Sequence, residues 1–227
     1  MTWKRRIFAL LPVVLMMTAL VGCQPPEEPA DLVGHTVGLP GFFGASYVGY
    51  VGLLAANGLA QEDVDAVDVG FTQVETLLSD QADAVVVFAN NEPIQLANMG
   101  EDINVIEVAD YIDLVFNGIV TNEETIANNP ELVERFTRAM LRGLADTLAD
   151  PDQAFEISKK YVEDLDDSRR EVLEASLDLW RTETLGFTEA ASWERTQQLL
   201  LDMGLLDEAV ADLQDAYSNE FIEKVQP

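Results

Sequence analysis

Between His35 and Phe88 the chain alternates short apolar, β-prone runs with helix-like stretches, and this alternation restricts the fold more than any other feature. His35-Thr36-Val37-Gly38-Leu39 reads as a strand that is broken by Pro40-Gly41. A helical segment follows from about Gly44 to Asn57, with Gly58 placed to cap its C-terminus. Residues Val64 to Val69, Thr72 to Ser79 and Ala82 to Phe88 repeat the pattern as strand, short helix and strand, and the Val85-Val86-Val87 run predicts a strand covered on both faces. Strands that alternate with helices form βαβ units, so the fold class is α/β with a parallel sheet.

Strand character continues in Asn104 to Val108 and Leu114 to Val120, after which the sequence turns helical. Asn122 is placed to cap a helix beginning Glu123-Glu124, Pro130 to open one that runs to Ala149, and Pro151 to open a third. Further helices are expected at about Asp167 to Thr184 and Thr188 to Met203. Leu132, Phe136, Met140, Leu144 and Leu148 recur at four-residue steps and predict one apolar stripe packed on a sheet, as core and not as a cofactor box. The organisation read from these signals is an α/β lobe over 31–102 and a crossover with a mostly helical part over 103–227.

The N-terminus carries a different message. Lys4, Arg5 and Arg6 precede an apolar run from Ile7 to Val21, shorter than the ~20 residues that cross a bilayer, and small residues follow it. Residues 1–22 are therefore expected to be a removable export signal. Leu20-Val21-Gly22-Cys23 matches the bacterial lipobox, in which the cysteine is acylated and becomes the first residue, so Cys23 is the expected lipidation site. Residues 23–30, with the proline- and acid-rich Gln24 to Asp31 run, are expected to form an extended tether off the membrane. The length beyond it suits one large domain or two small lobes.

Charge excludes one class of partner. The chain has 41 acidic and 13 basic residues and a formal net charge of −28, whereas nucleic-acid binding needs clustered Lys and Arg. Cys23 is the only cysteine and His35 the only histidine. The usual zinc sites and the Ser-His and Cys-His dyads are thus unavailable, and no metal, cofactor or catalytic residue is expected.

Three places offer ligand contacts. The first is the glycine-rich turn Gly38 to Tyr47, whose Phe42, Phe43, Gly44, Ala45, Ser46 and Tyr47 leave a strand and enter a helix, where free N–H groups hold an oxygen. It lacks the Gly-Lys-Ser/Thr element of a P-loop, and a plain βα turn with core aromatics is the alternative. The second is Asn90-Asn91-Glu92-Pro93, directly after the third strand and so on the ligand side of a parallel sheet. There Glu92 either accepts from an amino-heterocycle or serves the start of a helix. The third comprises Tyr111, placed to stack on a ring, and Asn117, with a solvated loop as the alternative. Gln73 is a weaker candidate at the end of the second strand.

The lipobox, Asp31-Leu32-Val33-Gly34-His35-Thr36-Val37-Gly38-Leu39-Pro40-Gly41, Gly70-Phe71-Thr72-Gln73 and Asn90-Asn91-Glu92-Pro93 together resemble the thiamine-pyrimidine-precursor family of ABC solute-binding proteins. That resemblance implies a type II periplasmic-binding fold. It also implies capture of a flat nitrogen heterocycle, a pyrimidine precursor or riboflavin, and delivery to an ABC permease by a lipid-anchored, extracytoplasmic binding protein without enzyme activity. A degenerate lipoprotein with a protein-binding role is the alternative. Members of the family carry a first-lobe segment of roughly 100 residues between anchor and second lobe, where this sequence has only the spacer. A one-sided cleft and a partly uncovered apolar stripe are therefore expected.

The N-terminal reading has a direct check. Mass spectrometry of the mature protein is expected to find Cys23 as an acylated first residue, and Cys23→Ser to release the protein from membranes; an unmodified N-terminus elsewhere contradicts it.

Overall fold

The structure is a computed structural model that describes residues 25–226, so the expected export signal and the expected lipidation site, Cys23, lie outside the described residues. Its organising element is a three-stranded parallel sheet formed by β1 (Thr36–Leu39), β2 (Asp65–Asp68) and β3 (Ala84–Val85), in the order β2-β1-β3. β1 is central: Thr36 pairs with Asp65, Leu39 with Asp68, Val37 with Ala84 and Gly38 with Val85. Val37 and Leu39 are buried accordingly.

α1 (Gly44–Ala56) crosses from β1 to β2, and the unbroken burial of Gly49 to Leu54 makes it an interior helix covered on most sides. Gly52 lets neighbours approach closely, since a Cβ there would lie 2.9 Å from Leu114 Cδ1 and 3.1 Å from Leu199 Cδ2. The helix ends in a Schellman motif. Gly58 is left-handed (φ +68°), the Leu59 N–H donates to Leu54 O at 3.0 Å, and the Gly58 N–H donates to Ala55 O at 3.1 Å.

α2 (Gln73–Leu78) and α3 (Glu92–Met99) follow β2 and β3, and the helical part comprises α4 (Glu123–Asn128), α5 (Pro130–Ala149), α6 (Pro151–Ser158), α7 (Arg170–Trp180), α8 (Ala190–Asp202) and α9 (Glu220–Lys224). Its boundaries follow local chemistry. Asn122, Asn129 and Asp150 accept from the N–H groups of Thr125, Leu132 and Gln153, at 2.8, 3.3 and 3.0 Å, with Pro130 and Pro151 opening α5 and α6. Two hydrophobic clusters result. The larger joins Leu32, Val37, Leu39, the buried face of α1, Leu114 and Leu199; the smaller joins Leu141, Ile222 and Val225. Phe155 of α6 is buried beneath two cations, Arg170 at 4.5 Å and Lys159 at 5.1 Å from the ring centroid.

Four expectations need correction. β3 spans two residues at the sheet edge, and Val85 to Val87 are half-buried because nothing pairs with their outer side among the described residues. Neither 104–108 nor 114–120 forms a strand. Around Asp113, α8 takes over backbone bonding from a ladder: Thr196 Oγ1 accepts from the Val115 N–H at 2.9 Å, and Arg195 Nε donates to Asp113 O at 3.0 Å. The expected tether is in part folded, since Pro29–Leu32 is a 3-10 turn and both Pro26 and Pro29 are buried. Finally, α5 buries Val133, Thr137 and Leu141, while Leu132, Phe136 and Met140 are 45%, 57% and 53% exposed. No sheet covers that stripe in the described residues.

Tyr50 yields a test of the main core. Its buried hydroxyl has no hydrogen-bond partner among the described residues, and burial, aided by Tyr47, pushes its pKa up to about 12 from 10.0. A phenol held neutral in the folded state but ionised at its ordinary pKa when unfolded costs stability as pH rises, from about 10 to about 12, and nothing below that window. Over those two units the loss is roughly 2–3 kcal/mol. Alkaline melting curves are expected to show it, and Tyr50→Phe to remove it and to raise stability at neutral pH by about 1 kcal/mol.

Candidate functional site

All three strands point the same way, so their carboxyl ends open on one edge of the sheet, where parallel α/β folds hold ligands. Each end delivers a phenylalanine there: Phe43 after β1, Phe71 after β2 and Phe88 after β3. These rings are 69%, 85% and 58% exposed and help to line a pocket of about 190 Å³. Three large apolar side chains open to solvent at one place mark the pocket as a candidate ligand site.

The β1 turn sets the position of Phe43. Gly41 is buried with φ +148°, and a Cβ on it would lie 2.3 Å from Phe43 Cε1. The Phe43 ring therefore lies against the space that a side chain at 41 would fill. Gly44, Ala45 and Ser46 form the first turn of α1 and also line the pocket, so the positive end of that helix faces it. Gln73, buried at the start of α2, also lines the pocket. Glu92, at the start of α3, lines the pocket too, but its carboxylate is engaged locally: Oε2 accepts from the Phe88 N–H at 3.1 Å and Oε1 from Asn91 Nδ2 at 2.9 Å.

The pocket thus brings together Phe43, Gly44, Ala45, Ser46, Gln73 and Glu92 of the residues singled out in the sequence. The others lie elsewhere. Phe42 packs edge-on against Tyr47, with centroids 5.7 Å apart, and the Tyr47 hydroxyl donates to Gln61 at 2.8 Å. Asn90 donates to the buried Ser176 hydroxyl at 2.7 Å, and Asn91 Oδ1 accepts from Gln95 at 2.9 Å and from Arg169 at 3.0 Å. Those two asparagines tie the strand end to α7. Tyr111 caps a 3-10 turn away from the pocket, and Asn117 borders a second, larger cavity beyond β3. Sequence reading missed Phe71 and Phe88 as site residues, although an aromatic residue just beyond a parallel strand is the signal that marks both.

An open parallel sheet with an aromatic-walled pocket at its strand ends defines an α/β periplasmic-binding fold. A solved structure agrees: the periplasmic aliphatic sulphonate binding protein SsuA from Escherichia coli superposes with a TM-score of 0.65 at 16% identity, over 88% of this chain and 67% of that one. The family model described as NMT1/THI5 like matches residues 14–154, and the chain belongs to that family. Among curated relatives, the riboflavin-binding protein RibY of Chloroflexus aurantiacus is 41% identical over 207 residues, 87% of this chain and 59% of the relative. The formylaminopyrimidine-binding protein of Halalkalibacterium halodurans is 31% identical over 209 residues, 86% of this chain and 62% of the relative. The 4-amino-5-hydroxymethyl-2-methylpyrimidine phosphate synthase of Aspergillus parasiticus is 24% identical over 210 residues, 86% of this chain and 59% of the relative. The chain therefore spans about three-fifths of the length of the curated relatives it matches.

The Gly41–Phe43 contact predicts a measurable coupling. Gly41→Ala is expected to lower stability by about 1–3 kcal/mol through backbone strain and the clash with the ring. Adding Phe43→Ala relieves the clash, so a double-mutant cycle on melting curves is expected to return less than the sum of the single effects.

Proposed function

We propose that the chain is a solute-binding component of an ABC importer and that it captures a flat nitrogen heterocycle at the strand-end pocket. The observation that carries this reading is the convergence of Phe43, Phe71 and Phe88, one from each parallel strand, on a single pocket. Ring faces stack on such side chains, while the N–H groups opening α1, the Ser46 hydroxyl and the Gln73 amide supply polar anchors for ring oxygen and nitrogen. Of the heterocycles, the isoalloxazine ring of riboflavin takes precedence over a smaller pyrimidine. Three rings give more stacking area than one pyrimidine uses, and the relative named for riboflavin shares 41% identity against 31% for the formylaminopyrimidine binder.

In this reading residues 31–102 form the ligand lobe and 103–227 the crossover and helical part. The protein acts outside the cytoplasm, held by a lipid on Cys23, and hands its ligand to a permease. Its task is binding and not catalysis. The pocket lining has one carboxylate, Glu92, and that group is spent on the Phe88 N–H and Asn91. Those bonds favour a helix-start role for Glu92 over recognition of a ligand amino group.

Titration of riboflavin and of formylaminopyrimidine, followed by flavin fluorescence and by calorimetry, tests the proposal. Riboflavin is expected to bind the more tightly, and Phe71→Ala to weaken it roughly three- to tenfold, as a lost aromatic contact of about 0.5–1.5 kcal/mol requires. Glu92→Gln is expected to lower the melting temperature with little change in affinity. Failure of both compounds to bind, or equal affinity in Phe71→Ala, overturns the assignment of the site.

A further inference from the structure

Gln73 is only 8% exposed, lines the strand-end pocket, and makes no side-chain hydrogen bond among the described residues. A buried primary amide with its donor and acceptor both unmet costs stability, and folding alone gives no reason to keep one. Ser46, in the first turn of α1, lines the same pocket, and its hydroxyl also bonds to no other described residue. The N-cap of that helix is Phe43, which has no side-chain oxygen to offer, so no side chain caps the first N–H groups of a 13-residue helix. The carboxylate in the lining, Glu92, is already engaged by the Phe88 N–H and by Asn91. What is left for a ligand is one strong acceptor, Gln73 Oε1, set among donors: Gln73 Nε2, the Ser46 hydroxyl and the N–H groups that open α1.

Such a set complements a ring edge on which one N–H lies between two carbonyl oxygens. We propose that Gln73 is the specificity-determining residue of the pocket and that it selects the imide edge of a pyrimidinedione ring, the edge a flavin carries. The inference rests on the heterocycle-binding reading above and adds which edge is read. Gln73 Oε1 accepts from the ring N3–H, Gln73 Nε2 donates to one flanking carbonyl, and Ser46 with the α1 N–H groups donates to the other. An aminopyrimidine edge, a donor beside a ring nitrogen with no second carbonyl, uses the amide but leaves the α1 donors unused. Phe43, Phe71 and Phe88 can stack on any flat ring. They set affinity for rings in general, and Gln73 sets which ring is kept, because a site built to hydrogen-bond an N–H rejects the analogue that lacks it.

The whole chain is titrated with riboflavin and with N3-methylriboflavin, which has the same ring faces but no imide proton. Wild type is expected to bind the methylated compound about tenfold or more weakly. Gln73→Met is expected to lose about tenfold or more toward riboflavin and to distinguish the two compounds by about threefold at most, and Gln73→Glu, which offers acceptors only, to lose more than Gln73→Met. Melting curves without ligand give an independent readout: with no internal bond to lose, Gln73→Met is expected to melt at or above the wild-type temperature. A clearly lower melting temperature in Gln73→Met makes the residue structural and overturns the proposal. Equal affinity of wild type for the two compounds overturns it too, with the heterocycle reading left standing. If wild type binds neither compound, that reading fails and the inference fails with it.

Discussion

The parallel ladder on both sides of Thr36–Leu39 governs where everything functional lies. A slip of one residue in that register would turn Val37 and Leu39 to the face where Gly38 now lies, a face with room for no side chain, since even a Cβ at Gly38 would lie 3.2 Å from Val69 and Val85. Burial therefore fixes the pairing, and the pairing fixes the direction in which three loops leave. Because all three strands run one way, Phe43, Phe71 and Phe88 meet although 45 residues of sequence separate the first from the last. Each loop is short, so little backbone freedom is lost in presenting its ring.

Polar side chains then join this edge to the helical part. Asn90 reaches Ser176, Asn91 reaches Arg169 and Asn98 donates to Glu171 at 2.7 Å, three contacts from the β3–α3 region to α7 and the turn before it. The bond to Ser176 involves a buried partner, and loss of Asn90 would leave that hydroxyl without its donor. Within the helical part, Phe155 and the Leu141–Ile222–Val225 cluster supply the buried apolar contacts, and the ion pairs of Arg170 with Asp152 and Glu156 are largely exposed and contribute modestly.

Local chemistry was legible in the sequence wherever it decides by itself. Gly58 and the caps at Asn122, Asn129 and Asp150 act within one turn, so the helix limits they set agree with the structure. Strand signals in 104–108 and 114–120 were misleading because a strand needs a neighbour, and no local pattern supplies one. The α5 stripe shows the same limit: spacing identifies an apolar face but not what covers it, and the buried face lies one residue on, at Val133, Thr137 and Leu141. At the site, the strand-end rule located Gly44 to Ser46, Gln73 and Glu92, whereas the partners of Asn90 and Asn91 lie 86 and 78 residues away and cannot be read from spacing.

The open face of α5 gives the acidic composition a further meaning. Leu132, Phe136 and Met140 present apolar surface of the kind that associates in water, while the formal charge of −28 makes any two copies repel. Colloidal behaviour then depends on a balance between a short-range attraction that salt leaves in place and a repulsion that fades beyond about 8 Å at physiological ionic strength. For this chain, added salt removes the barrier that keeps the sticky face apart from its copies, so dilute buffers keep it dispersed and concentrated ones bring it together.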